Sequence, residues 1–138
     1  MRQVTRKQLF RVVDANYNRT KEGLRVCEDI ARFILDDKPL TASFKRTRHG
    51  LTQAITSFGF QEITSARNIL KDVGRKSTAG EMKRFSVDDL LYANSQRVKE
   101  SLRVLEEFAK LVDIKAAERL KRLRYAFYDL EKEALGRL

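Results

Sequence analysis

The chain has 138 residues, of which 42% are hydrophobic and 35% charged. That is room for one domain with its own core, too little for two ordinary domains, and too apolar for a disordered chain. The formal net charge of +10 points to an anionic partner, whether nucleic acid, an acidic surface or a small phosphate ester. The cations are interleaved with acids rather than gathered in a tail, which argues against nucleic acid. No apolar run reaches the ~18 residues of a membrane span, and the N-terminus lacks the apolar block of a signal peptide. Cys27 is the only cysteine and cannot form an intramolecular disulfide. A cytoplasmic protein with no membrane partner is the expectation.

One proline and six glycines favour long helices over many strands joined by turns. Thr5-x-x-Gln8 has the form of a capping box, so a first helix is predicted from Arg6 to about Leu35, where Asp36-Asp37-Lys38-Pro39 stops it. A second covers Leu40 to Ser57 and ends at Gly59. Residues 60–85 read as a long connection holding one short helix around Ile63 to Leu70; long connections in compact domains are usually functional. Ser86 with Asp88 and Asp89 starts a third helix, reaching about Val112. Asp113 caps a fourth that runs almost to the C-terminus.

The chain repeats itself. Ala-Asn-Tyr-Asn-Arg-Thr-Lys-Glu-Gly-Leu-Arg-Val-Cys-Glu-Asp at 15–29 matches Ala-Asn-Ser-Gln-Arg-Val-Lys-Glu-Ser-Leu-Arg-Val-Leu-Glu-Glu at 93–107, 78 positions later. Lys45-Arg46-Thr47-Arg48 matches Lys121-Arg122-Leu123-Arg124, 76 positions later. One domain, 1–138, is therefore expected, with repeat 1 at about 6–58, a connection at 59–85 and repeat 2 at about 86–137. Seams step by fours and threes: Val13, Tyr17, Thr20, Leu24, Cys27, Ala31 and Ile34 in the first helix, and Leu91 through Leu102 to Val112 in the third. Such seams pack at shallow angles, so the fold class is all-α, an antiparallel helical bundle of two duplicated hairpins.

At about 100° per residue, Asn16 projects into the middle of the first helix's apolar sector and Arg19 lies inside it. Asn94 and Arg97 do so in the third. A buried amide or guanidinium without partners costs roughly 1–3 kcal/mol or more, so both pairs are expected to be buried and bonded. Glu22 is the nearest partner for Arg19, and Arg25 with Glu28 or Asp29 extends the ladder. Asparagines that fix register, beside ordinary exposed ion pairs, would explain one copy. They do not explain why Asn16/Asn94, Arg19/Arg97, Glu22/Glu100, Arg25/Arg103 and Glu28/Glu106 are identical while neighbours such as Tyr17/Ser95 differ. Carboxylates hold Mg²⁺ and arginines clamp phosphates, which are the two needs of phosphoryl transfer.

Other residues carry less. His49 has no metal-ligand companion. Cys27 sits on a seam as a small core residue. Gly74-Arg75-Lys76-Ser77-Thr78 lacks the spacing of a phosphate-binding loop. Arg67 and Asp72, in the connection, offer a phosphate contact and a metal ligand. Tyr125 and Tyr128 offer stacking faces, although packing on the helix surface is their commoner fate.

The run Val13-Asp14-Ala15-Asn16-x-x-Arg19-x-x-Glu22-Gly23-Leu24-Arg25-Val26-x-Glu28-Asp29, with Arg32-Phe33 after it, resembles a known family. So do Asp72-Val73-Gly74 and the stretch from Ala93-Asn94 to Phe108-x-Lys110. The family is the small helical hydroxymethylpyrimidine phosphate kinase, found alone or fused ahead of thiamine phosphate synthase. The resemblance spans roughly residues 10 to 131 and keeps the motif order. It implies transfer of a phosphoryl group from ATP, with Mg²⁺, to 4-amino-5-hydroxymethyl-2-methylpyrimidine phosphate, a step of thiamine biosynthesis. Association with thiamine phosphate synthase is implied too, but the chain has no room for the synthase barrel and is expected to lack that activity. On this reading Arg19, Arg25, Arg97 and Arg103 bind phosphate. Glu22, Glu28, Glu100 and Glu106 hold Mg²⁺ or orient those arginines, with Asp72 joining Glu22 and Glu100 as metal ligands. Asn16 and Asn94 bond the aminopyrimidine edge, and Arg48, Arg124 and Arg67 are further substrate contacts. Asn68 departs from the acid expected after Arg67. Which repeat takes the nucleotide is left open, as is a homodimer. The alternative is a non-catalytic basic helical module that binds nucleic acid or a protein partner.

Overall fold

The computed structural model describes all 138 residues. Helix α1 covers Arg6–Asp29 and begins at the capping box of Thr5 and Gln8, each side chain accepting from the other's backbone amide. Its last turn, Ile30–Ile34, is π-helical, and Asp36 reverses the chain at φ 49°. Asp37 caps α2, Lys38–Ile55, with Pro39 in the first turn, where a missing amide hydrogen costs nothing. A 3₁₀ turn at Thr56–Phe58 ends on Gly59, at φ 79°, a conformation side chains disfavour. Helix α3 is only Phe60–Ser65, shorter than the 63–70 expected. Beyond it, the connection has one 3₁₀ turn, Gly80–Met82. Ser86 caps α4, Val87–Ala109, which ends three residues early because Lys110–Val112 form a tight turn into Asp113. Asp113 caps α5, Ile114–Leu135. There are no strands, and no helix is long and apolar enough to cross a membrane.

The expected bundle is present. α1 packs on α4 and α2 on α5, and each hairpin closes on itself, α1 with α2 and α4 with α5. The seams meet inside along most of their length: Leu24, Leu51, Leu102 and Leu120 are fully buried, each contributing roughly 1.5–3 kcal/mol of burial, whereas the last seam positions of the first and third helices, Ile34 and Val112, are exposed. Phe44 of α2 and Phe127 of α5 pack at 6.3 Å between ring centroids.

The α1/α4 crossing is close because small residues line it. Thr20 Oγ1 lies 2.6 Å from Ser101 Oγ. A Cβ on Gly23 would meet Val98 Cγ2 at 2.8 Å and the Asn94 carbonyl at 3.0 Å. Shifting by the repeat offset turns Thr20 into Val98 and Ser101 into Gly23, so each contact is the other's image. The crossing therefore has a local pseudo-twofold axis.

Two burial expectations need correction. Asn16 is buried, at 3% exposure, but Asn94 is only half-buried. Arg19 and Arg97 are exposed. Their Cα atoms sit at the edge of the apolar sector, and the long side chains carry the guanidinium out to water.

Candidate functional site

The repeated polar residues separate into two structural groups. The first forms a pair of internal clamps. Glu28 accepts from Arg25 Nη1 at 2.9 Å and Arg48 Nη2 at 3.3 Å. Glu106 accepts from Arg103 Nη1 at 3.4 Å and Arg124 Nε at 3.1 Å. These carboxylates are 5% and 4% exposed, and the Arg48 and Arg124 side chains 13% and 10%. Burial opposes the Arg124 charge, but the Glu106 carboxylate and the Tyr128 hydroxyl together outweigh it and hold the guanidinium above its usual range. Each clamp ties the two helices of its hairpin together. Of the two roles offered for Glu28 and Glu106, the structure shows them orienting arginines, and Arg48 and Arg124, expected as substrate contacts, are turned into the fold: Glu28, Glu106 and Arg124 are buried, Arg48 is largely so, and each meets its counter-charge. Arg25 and Arg103 are half-exposed, but their guanidiniums are likewise directed at the clamp carboxylates.

The second group lines a cleft of about 1040 Å³ on the outer side of the α1/α4 pair. Asn16, Arg19 and Glu22 come from α1, Val104 and Phe108 from α4, and the walls are the N-terminal arm at Arg2–Val4 and the connection at Arg67–Ile69 and Asp72. Asn16 Nδ2 donates to the Val12 carbonyl at 2.9 Å, and Arg19 Nη1 donates to Asn16 Oδ1 at 3.3 Å. The expected Arg19–Glu22 pair does not form, so Glu22 faces the cleft without a cation of its own. Glu100, Arg97 and Asn94 do not line this cleft.

Sequence reasoning missed Asp14. It is buried at 4% exposure and grips Arg67 with both oxygens, Nε to Oδ2 at 2.7 Å and Nη2 to Oδ1 at 2.8 Å. Asn18 Nδ2 adds a bond to Oδ1 at 3.2 Å. The bond to Asp14 holds the Arg67 guanidinium above its usual range. This bidentate pair fastens the connection to α1 and brings Asp72 to the cleft. Asp14 projects to the side of α1 away from the apolar sector, so periodicity could not mark it. The only available signal was its place in the motif run.

Four arginines line the cleft, Arg2, Arg11, Arg19 and Arg67, with three carboxylates, Asp14, Glu22 and Asp72. Asp14 is neutralised by Arg67, which leaves a net positive lining with an apolar patch of Val12, Val104 and Phe108. Its volume is at the top of the range for small-molecule sites. No cluster of three or more metal-binding side chains exists. Glu22 and Asp72 nevertheless suit Mg²⁺ arriving with phosphates, because that ion takes one or two carboxylates and completes its shell with phosphate oxygens and water. Cys27 lies in the core, where burial pushes its thiol up to about 12. Tyr125 and Tyr128 are exposed on α5, outside the cleft lining, at 6.0 Å between rings. His49 and the Gly74–Thr78 segment are exposed too.

The sequence profile of the ThiD2 family matches residues 11–133. The chain belongs to the ThiD2 family. Similar proteins include the thiamine-phosphate synthase of Synechocystis, 41% identical over 99% of this chain. Those of Nostoc punctiforme and Rhodopirellula baltica are 38% and 36% identical over 93% and 92% of it. The chain spans 39%, 36% and 34% of these three relatives' lengths. No solved structure matches it significantly.

Proposed function

We propose that this ThiD2-family protein transfers the γ-phosphoryl group of ATP to 4-amino-5-hydroxymethyl-2-methylpyrimidine phosphate, giving the diphosphate used in thiamine biosynthesis. The observation that carries the reading is the single cleft that gathers Asn16, Arg19 and Glu22 with Arg67 and Asp72 of the connection. Family membership and relatives named thiamine-phosphate synthase support the metabolic context.

An oxygen of the acceptor phosphate attacks the γ-phosphorus, and the bond to the β–γ bridging oxygen breaks, releasing ADP. A dianionic acceptor has no proton to lose, so no general base is needed. The task is to hold two polyanions together and neutralise the charge between them. Arg19, Arg11 and Arg67 bind phosphate oxygens, and Asp14 sets the plane of Arg67. Glu22 and Asp72 hold Mg²⁺, which supplies charge neutralisation at the transferring phosphate. Asn16 orients Arg19. The clamps of Glu28 and Glu106 position the helices that carry these groups. The product would pass to a thiamine-phosphate synthase in the cytoplasm.

The test is phosphorus NMR of the purified protein with ATP, Mg²⁺ and the pyrimidine monophosphate. Diphosphate should form, and the free alcohol should react poorly because the guanidinium set for the acceptor phosphate loses its partner. Arg19→Ala should cost ~1.5–3 kcal/mol, ten- to more than a hundredfold in kcat/KM. Absence of diphosphate with well-folded protein removes the reading.

A further inference from the structure

The α1/α4 groove is symmetric beyond the cleft just described. Asn94 Nδ2 donates to the Leu90 carbonyl at 2.9 Å, the image of the Asn16 bond to Val12 at the same distance. The Thr20–Ser101 and Gly23–Val98 contacts put the axis at the level of Glu22 and Glu100. The cleft pairs Asn16, Arg19 and Glu22 with Val104 across the groove. Exchange of the hairpins therefore pairs Asn94, Arg97 and Glu100 with Val26. The two halves differ in their walls: Asp14 is replaced by Tyr92, 59% exposed, and Arg67, Asn68, Ile69 and Asp72 of the connection line the first half.

We infer that the groove is one two-lobed site, with the nucleoside triphosphate in the walled lobe and a monophosphorylated aromatic acceptor in the open lobe. Charge makes the assignment. The walled lobe carries four arginines and two carboxylates free of any ion pair, which suits a triphosphate with Mg²⁺. In the open lobe Asp89, bonded to the Phe85 amide, stands where Arg11 does, so Arg97 is the one arginine the repeat carries over from the walled lobe, which suits one phosphate rather than three, and Tyr92 offers a ring face. The acceptor oxygen then meets the γ-phosphorus near the axis, between Glu22 and Glu100, and the β–γ oxygen departs into the walled lobe with the diphosphate. The inference rests on the phosphotransferase reading for its ligands.

Calorimetric titration with a non-hydrolysable ATP analogue plus Mg²⁺, and separately with the pyrimidine monophosphate, tests the division. Arg97→Ala and Tyr92→Ala, both at exposed positions, should each weaken the monophosphate at least tenfold and the analogue less than twofold. Arg11→Ala and Arg67→Ala should do the reverse, with melting temperatures confirming folded protein. If both ligands weaken only with the Arg11 and Arg67 variants, or the pattern is inverted, the division is overturned while the phosphotransferase reading stands. A clean split with no diphosphate formed by wild type would overturn the phosphotransferase and keep the lobes. Failure of both ligands to bind overturns both.

Discussion

Replacing Glu106 with Ala should cost more stability than any change in the cleft. The carboxylate is 4% exposed and bonded to Arg124, whose side chain is 10% exposed; without it a guanidinium stays buried with its counter-charge gone. Breaking such a pair from one side costs ~3–5 kcal/mol. Arg103 is 55% exposed and rehydrates freely, so the low end, about 3 kcal/mol, applies. The unfolding entropy of a 138-residue domain is roughly 0.3 kcal/mol/K, so the melting temperature should fall by about 10 °C. Glu28→Ala should match it, since Arg48 takes the place of Arg124 in the other hairpin. Calorimetry of both variants, with a Glu106→Leu/Arg124→Leu double replacement, makes the test. The double variant should recover most of the loss, because an apolar pair has no charge to strand. A shift under about 2 °C in either single variant would refute the clamp, and so would a double variant less stable than Glu106→Ala.

In Gly23→Ala the helix gains up to about 1 kcal/mol of propensity, but the new Cβ strikes Val98 and the Asn94 backbone oxygen, which cannot withdraw. Overpacking of ~1–3 kcal/mol should win, and a higher urea midpoint would contradict the close crossing. Asp14→Asn should free the connection: the Arg67 side chain is 46% exposed, so screening holds the stability loss to about 1 kcal/mol, while limited proteolysis within residues 66–85 should accelerate severalfold. Unchanged cleavage would show that the pair does not fasten that segment. Cys27 should resist thiol reagents at pH 8 at a rate set by unfolding, because its thiol is pushed up from 9.0 to about 12 by burial. The unfolded thiol ionises first, so this contribution to stability is intact below pH 9 and is lost between pH 9 and about 12; in Cys27→Ala the decline over that window should be shallower.

The bundle was legible because its causes are local and repeated. Caps at Thr5, Ser86 and Asp113 announce helix starts, and a seam on each long helix fixes the inward face. The duplication turns two helix matches into one architecture. The end of α1 was less legible, since the π-helical turn rotates the register and leaves the expected seam residue Ile34 53% exposed. Of the candidate site, Asn16, Arg19, Glu22, Arg67 and Asp72 were identified from residue types and motif, and one cleft gathers them. Glu28, Glu106, Arg48 and Arg124 are equally repeated yet turn inward. A repeat preserves whatever either copy needs, and a clamp that closes each hairpin is needed twice. Repetition alone therefore could not separate binding groups from structural ones. Asp14 escaped for the opposite reason: its partner lies 53 residues away, in the connection that interrupts the symmetry.

That interruption carries the functional argument further than the repeat does. Two identical half-grooves would bind two identical ligands, whereas phosphoryl transfer needs a donor and an acceptor of different size and charge. The connection supplies the difference. By binding Asp14 through Arg67 it gives one half-groove a wall, a further arginine beside the α1 set and a second carboxylate, Asp72. The other half has Tyr92 at the matching position and carries Asn94, Arg97 and Glu100 from the repeat. On the two-lobed reading, donor and acceptor fall to halves related by the repeat, and their reactive ends meet near the axis. On that reading, removing the Asp14–Arg67 anchor would return the groove toward symmetry, although Ile63 and Ala66, buried in the core, would still tie the connection to the bundle.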